Sequence, residues 1–212
     1  MKELEKLKDY IVAGKLNESI NAVNQAIESN VSANIIVNEH LVKGMEEIGQ
    51  RFENGQAFVP NLLLAARAMK GCLEILKPLM QDDNTINQGT LIIGTVKGDL
   101  HDIGKNLVAS MLEGCGFQVI NLGVDISDVQ FVEAIREYNP QIICLSALLT
   151  TTMTYMRQII KTLEDEGLRH QIKVMVGGAP VNKNFAQEIG ADGYSSNAND
   201  AVTLARELLK AC

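Results

Sequence analysis

No Cys-x-x-Cys pair occurs in this chain. Its four cysteines, Cys72, Cys115, Cys144 and Cys212, fall on separate predicted elements. That spacing argues against a zinc or iron–sulfur site built from thiolates, and for reduced thiols in a reducing compartment. Long apolar runs are also missing: none approaches the roughly 20 residues a membrane helix needs. The opening Met1-Lys2-Glu3-Leu4 begins a charged amphipathic pattern and not a signal-peptide core. Basic residues are in deficit, 19 Lys and Arg against 26 Asp and Glu for a net charge of −7. Neither nucleic acid nor an anionic membrane surface is therefore an expected partner. A cytoplasmic protein is expected, although acidity does not say what it binds.

What is present divides into two styles of sequence. Residues 1–85 carry helical periodicity only: Leu4, Leu7 and Ile11; then Leu16, Ile20, Val23 and Ile27; then Leu41, Val42, Met45 and Ile48, with Ser32 as a candidate N-cap. A fourth helix starts near Pro60, a residue favoured in a first turn, and runs through Leu76. A four-helix bundle is predicted. Between the third and fourth helices, Phe52 and Phe58 bracket a turn. They serve either as a staple packing the connection or as an apolar lid over something held by the second domain.

Gln81 to Gly89 is polar, breaks both periodicities and reads as a linker. Across residues 86–212 strand-like runs at 90–96, 117–122, 141–146, 172–177 and near 192–195 alternate with helical stretches at about 105–115, 128–138, 153–166, 183–190 and 199–210. Alternation of this kind predicts a doubly wound, Rossmann-like (flavodoxin-like) domain with a five-stranded parallel sheet and right-handed crossovers. The expected class is thus α followed by α/β, a helical bundle cap before the sheet domain.

The loop after the first strand reads Gly94-Thr-Val-Lys-Gly-Asp-Leu-His-Asp-Ile-Gly-Lys-Asn106. A phosphate loop would hold a Gly-rich run and Lys-Ser/Thr there; this loop holds Asp99, His101 and Gly104. A histidine two residues from a carboxylate suits a metal ligand with a supporting partner, though it can equally satisfy a turn. Ser146-Ala147-Leu148 ends the third strand and Gly177-Gly178 ends the fourth. In the order 2-1-3-4-5 all three loops meet at the carboxyl edge, at the switch point. Singly, each has an ordinary explanation: a tight turn for the glycines, a strand-end serine, an N-cap for Thr150 to Thr152. The dinucleotide pattern Gly-x-Gly-x-x-Gly is missing, and the phosphoacceptor Asp of a receiver domain is replaced by Ser146.

Asp99-x-His101-x-x-Gly104, then Ser146-x-Leu148, then Gly177-Gly178 resembles the cobalamin-binding signature of methionine synthase and the corrinoid methyl-carrier proteins. Met45 to Met69, with Phe-x-x-Gly and Phe58-Val59-Pro60, is similar to the helical cap of that family, so the resemblance spans nearly the whole chain. Its length resembles the small carriers that lack catalytic domains. The resemblance implies cobalamin, as methylcobalamin or a related corrinoid, with His101 as the lower axial ligand of cobalt. Asp99 and then Thr152, standing where the family has a serine, would continue a relay. Asp102, Ile103, Gly104, Ser146, Leu148, Thr150, Gly177 and Gly178 would line the cofactor and its nucleotide tail. Phe52, Val59 and Leu62 would cover the methyl-bearing face. It further implies a carrier moving a methyl group from a methyltransferase specific for a methylamine, methanol or methoxyarene to an acceptor methyltransferase using tetrahydrofolate or a thiol coenzyme, with a reductive activation protein as a third partner. The alternatives are a cobalamin-dependent sensor and an adenosylcobalamin mutase subunit.

Overall fold

The computed structural model describes residues 2–79 and 88–210, so most of the predicted linker, and Cys212, lie outside the described residues. The chain divides into two compact units, one of Met1–Gln88 with Ser110–Phe117, the other of Gly89–Ala109 with Gln118–Cys212.

The first unit is built on helices α1 (Lys2–Val12), α2 (Leu16–Glu28), α3 (Ala33–Ile35), α4 (Val42–Glu53) and α5 (Val59–Leu76), with α3 running into α4 through a π-helical stretch, Ile36–Leu41. As predicted, Ser32 caps α3, its hydroxyl accepting from the Ile35 N–H at 3.3 Å. Helix α1 packs on α2 and α4, and both of these pack on α5. The interior is formed by Leu7, Ile11, Ile36, Leu41, Met45, Leu62, Met69 and Leu76, all within 2% of full burial. Helix α2 departs from the expected stripe. Its buried face is Ser19, Ala22, Val23 and Ala26, whereas Leu16, Ile20 and Ile27 are half-buried. The larger residues instead reach over a small one on α5: a Cβ placed on Gly71 would stand 2.7 Å from Leu16 Cδ1. Small residues at the seam let two helices approach closely while the flanking apolar chains cover the contact.

The second unit alternates β1 (Thr90–Val96), α6 (Ile103–Gly114, whose residues from Ser110 count with the first unit), β2 (Gln118–Ile126), α7 (Asp128–Tyr138), β3 (Ile142–Ser146), α8 (Thr150–Met153), α9 (Tyr155–Asp165), β4 (Lys173–Gly177), α10 (Lys183–Glu188), β5 (Gly193–Ser195) and α11 (Ala198–Lys210). All strands are parallel, in the order β2-β1-β3-β4-β5, which is the predicted switch point between β1 and β3. Strands covered on both faces read as continuous apolar runs, as Leu91-Ile92-Ile93 and Ile142-Ile143-Cys144-Leu145 do, every one of them buried. Burial pushes the Cys72 and Cys144 thiols up to about 12, so they act as small core hydrophobes.

Two boundaries differ from expectation. Strand β2 continues four residues past the predicted 122, to Ile126, because irregular pairing with β1 carries it through Gly123. The helix predicted over 153–166 is α9, Tyr155–Asp165, and an unpredicted short helix, α8, precedes it, with the break at Thr154. The register of the sheet sets the site. Thr95 pairs with Ser146, Ser146 with Gly177 and Gly177 with Ser195, so one row crosses the sheet at its carboxyl edge.

Candidate cofactor site

Asp99 begins the site as a fully buried carboxylate, 0% exposed, on the loop between β1 and α6. Such a group is tolerable only if its lone pairs are satisfied, and here four donors converge on it. Oδ1 accepts the His101 backbone N–H at 3.1 Å and lies 2.7 Å from His101 Nδ1. Oδ2 accepts the Leu148 N–H at 2.8 Å and the Thr152 hydroxyl at 2.6 Å. Burial by itself would raise the Asp99 pKa. The hydrogen bonds from Thr152, the Leu148 N–H and the His101 N–H and ring outweigh it and hold the carboxyl well below the usual carboxylate range.

An ionised Asp99 requires the hydrogen of His101 on Nδ1, which leaves the Nε2 lone pair outward. The ring is half in solvent, its side chain 51% exposed. Around it the surface is apolar where a loop would ordinarily be polar: Leu100 is 72% exposed, Ile103 87% and Leu148 43%. The loop's carbonyl side is tied down too, since buried Thr95 donates its hydroxyl to the His101 C=O at 2.9 Å.

The other predicted residues occupy distinct positions. Gly178, at φ +129°, approaches Ala147 so closely that a Cβ would stand 1.8 Å from the Ala147 carbonyl oxygen, which only glycine permits. Gly104 is the opposite case: a Cβ there would meet nothing within 4 Å, so the polypeptide itself does not require the glycine. Ser146 is half-buried on the strand-end row. Asp102 Oδ2 accepts from Asn106 Nδ2 at 2.8 Å, which ties the loop to the first turn of α6. Thr150 is exposed and opens α8, but the N-cap is Leu149, without a side-chain cap bond, so the Thr run is not a cap. Thr152 instead turns its hydroxyl inward to Asp99. In the helical unit Phe52 is half-buried, Val59 is 39% exposed and Leu62 fully buried. Phe58 is 70% exposed, which a staple would not be.

Sequence reading missed Thr95, Lys105, Asn121 and Asp125. Lys105 is almost fully buried, and its ammonium donates to Asn106 Oδ1 at 2.6 Å and Asn121 Oδ1 at 2.7 Å. Desolvation, only partly countered by Asp102, lowers its pKa. The polar residues and Gly123 interrupting an apolar strand were the one available signal.

This donor set suits a particular kind of group. Among the described residues, no three His, Cys, Asp or Glu side chains gather to hold a bare metal ion. One outward imidazole can still bind a metal that brings its other ligands with it, and an apolar rim with an open glycine suits the face of a large macrocycle.

Comparison with known proteins names a cofactor of this kind. The B12 binding domain family matches residues 89–203, and a second B12 binding domain family matches residues 3–77. The chain belongs to the B12-binding corrinoid proteins. It is 45% identical over 188 residues to trimethylamine corrinoid protein 2 of Methanosarcina mazei, covering 88% of this chain and 86% of the relative. Among solved structures it resembles a cobalamin-binding protein from Desulfitobacterium hafniense at 32% identity and a TM-score of 0.83, covering 97% of this chain and 98% of the other. It also resembles the methanol:cobalamin methyltransferase complex of Methanosarcina barkeri at 26% identity and a TM-score of 0.84, covering 100% of this chain and 81% of the other. The bundle-plus-parallel-sheet architecture is that of B12-binding corrinoid proteins, and cobalamin is the cofactor the family binds. No helix among the described residues is long and apolar enough to cross a membrane.

Proposed function

We propose that this chain is a corrinoid methyl carrier that holds cobalamin through His101 and shuttles a methyl group between two methyltransferases. The observation that carries it is the bonded series Thr152, Asp99, His101, which ends in an outward Nε2 inside an apolar rim. When bound, the corrin cobalt supplies a nucleophile able to take up a methyl cation and a leaving group able to release it. The chain's own residues orient and tune. Asp99 fixes the imidazole tautomer, Thr152 and the Leu148 N–H hold Asp99 ionised, and Leu100, Ile103 and Leu148 would exclude water around a group held by the imidazole. Gly104, Ser146, Gly177 and Gly178 form the side on which a nucleotide tail would lie, with Asp102 and Thr150 at its margin.

The donor is proposed to be a methylamine, supported by the relative named for trimethylamine. A substrate-specific methyltransferase would load the carrier, consistent with the likeness to a methanol:cobalamin methyltransferase complex. An acceptor methyltransferase would unload it, and a reductive activation protein would restore it after adventitious oxidation.

Two measurements test this. With uniformly 15N-labelled protein and unlabelled cobalamin, the cobalt(II) resonance should carry a doublet from one protein nitrogen, lost in His101→Ala; a doublet untouched by that substitution rules out His101 as ligand. The reduced holoprotein should accept one methyl equivalent per cobalt from methyl iodide and yield it to a thiol with an acceptor methyltransferase. Light-dependent change in oligomeric state, without methyl uptake, would instead establish a sensor.

A further inference from the structure

Strand β2 ends irregularly where it passes the cofactor loop. From Ile93 to Gly94 β1 advances one residue while β2 advances two, Asn121 to Gly123; from Gly94 to Val96 β1 advances two while β2 advances three, to Ile126. One extra residue is thus accommodated twice, and such bulges re-aim side chains beside sites. Within the second lies Asp125 at φ +58°, a left-handed conformation uncommon outside glycine, and held only where the surroundings over-determine it.

What over-determines it is the loop. The Asp125 carboxylate oxygen Oδ1 accepts the Gly98 N–H at 2.7 Å, and the Asp125 N–H donates to the Asp99 carbonyl at 3.1 Å. These two bonds grip the Gly98–Asp99 segment from one side. A third set, from Lys105 to Asn121 and Asn106, grips the far end of the loop where α6 begins. Asp125 is exposed and adds nothing to the apolar core. Gly98, at φ +82°, has backbone freedom that the Asp125 bond removes.

We propose that Asp125 is a positioning residue for His101: it clamps the entry of the loop, so that the Asp99 carboxylate meets the imidazole where Nε2 can ligate. The proposal rests on His101 being the axial ligand, and it assigns to Asp125 no contact with the cofactor.

The test uses the full-length protein, 15N-labelled and loaded with unlabelled cobalamin, in the cobalt(II) state. Asp125→Gly keeps access to the left-handed backbone but removes the acceptor; Asp125→Asn keeps both, because Asn tolerates positive φ and retains a carbonyl oxygen. Asp125→Gly should lower the ratio of centres with the protein-nitrogen doublet to those without it about tenfold, the scale of one lost hydrogen bond to a charged group. Asp125→Asn should restore it to within about twofold of wild type, a difference worth less than half of that tenfold effect on the same scale. An unchanged ratio in Asp125→Gly, or an equal loss in both variants, overturns the proposal.

A second measurement needs no substitution. In wild-type protein without cofactor the Gly98 amide should exchange with solvent at least about tenfold more slowly than an unbonded loop amide; unprotected exchange overturns the clamp even if Asp125→Gly fails to fold. Should wild type itself lack the doublet, the His101 assignment falls, and Gly98 exchange then decides the clamp alone.

Discussion

The loop that carries His101 and the turn that carries Phe58 both expose apolar side chains, and they are held in different ways. The loop from Gly98 to Gly104 presents Leu100 and Ile103 on a polar frame in which Asp99, His101, Thr152, Thr95 and Asp125 are all bonded to one another or to the backbone. The turn from Phe52 to Val59 presents Phe58 on little more than its own backbone, with the Gln56 and Ala57 N–H groups both donating to the Arg51 carbonyl and Asn61 accepting from the Phe58 N–H. The first arrangement fixes the direction of one imidazole, because Asp99 is bonded on both oxygens. The second fixes only where the chain turns. A ligand to a metal needs the former; an apolar cover needs shape and can tolerate the latter.

If that contrast is right, substitutions in the polar frame should unsettle the protein even without cofactor, and substitutions at the exposed apolar positions should not. The largest effect is expected from Gly178→Ala, where a Cβ would stand 1.8 Å from a carbonyl oxygen. A loss of at least about 3 kcal/mol, read from the urea midpoint, follows from a clash that backbone movement alone can relieve.

Next comes Asp99→Asn, which turns an amide N–H toward donors and should cost about 2–3 kcal/mol. It also has a pH signature. The native Asp99 pKa lies below its unfolded value, so its contribution is complete at neutral pH, begins to fade as pH falls below about 4, and vanishes only below the depressed native value. Urea midpoints measured downward from pH 5 should therefore decline more steeply in wild type than in Asp99→Asn; parallel curves would deny Asp99 this role.

Thr152→Val should cost about 1–2 kcal/mol by leaving Asp99 Oδ2 one donor short, while Thr152→Ser should stay within about 0.5 kcal/mol of wild type. The smallest effects are expected from Gly104→Ala and Phe58→Ser, each within about 0.5 kcal/mol in the cofactor-free protein. Gly104→Ala should nonetheless weaken cobalamin binding by at least about tenfold, because its space belongs to the ligand and loss of one close contact is on that scale. Equal affinity would show that Gly104 faces solvent only.

Much of this was legible before any tertiary contact was known. The switch from a period of 3.6 to strand alternation separates helical from α/β sequence, because burial of one face imposes those periods. Asp99, His101, Ser146 and the glycine pair stand at strand ends by position alone, and the register row Thr95, Ser146, Gly177 then brings them together. Helix α2 misled because large apolar residues define a stripe in sequence, whereas close helix packing selected its small ones. Leu62 stands in an apolar stripe whose periodicity cannot say how deep each member lies; it is fully buried, while Phe58 is largely exposed.

The bonds that hold the loop come from far along the chain, and only the family resemblance had pointed to Thr152. Thr152 lies 53 residues along the chain from it, and Asp125 reaches Gly98 across 27. Sequence by itself determined the succession of strands and helices, the loop that carries the histidine and the residue types at its edge, because hydrophobic period and strand-end position are local properties. Tertiary structure alone decided whether the Thr152 hydroxyl would reach Asp99 and which carboxylate would bond its loop. A hydrogen bond depends on tenths of an ångström between distant segments, and those are set by parallel register, two bulges in β2 and the break between α8 and α9.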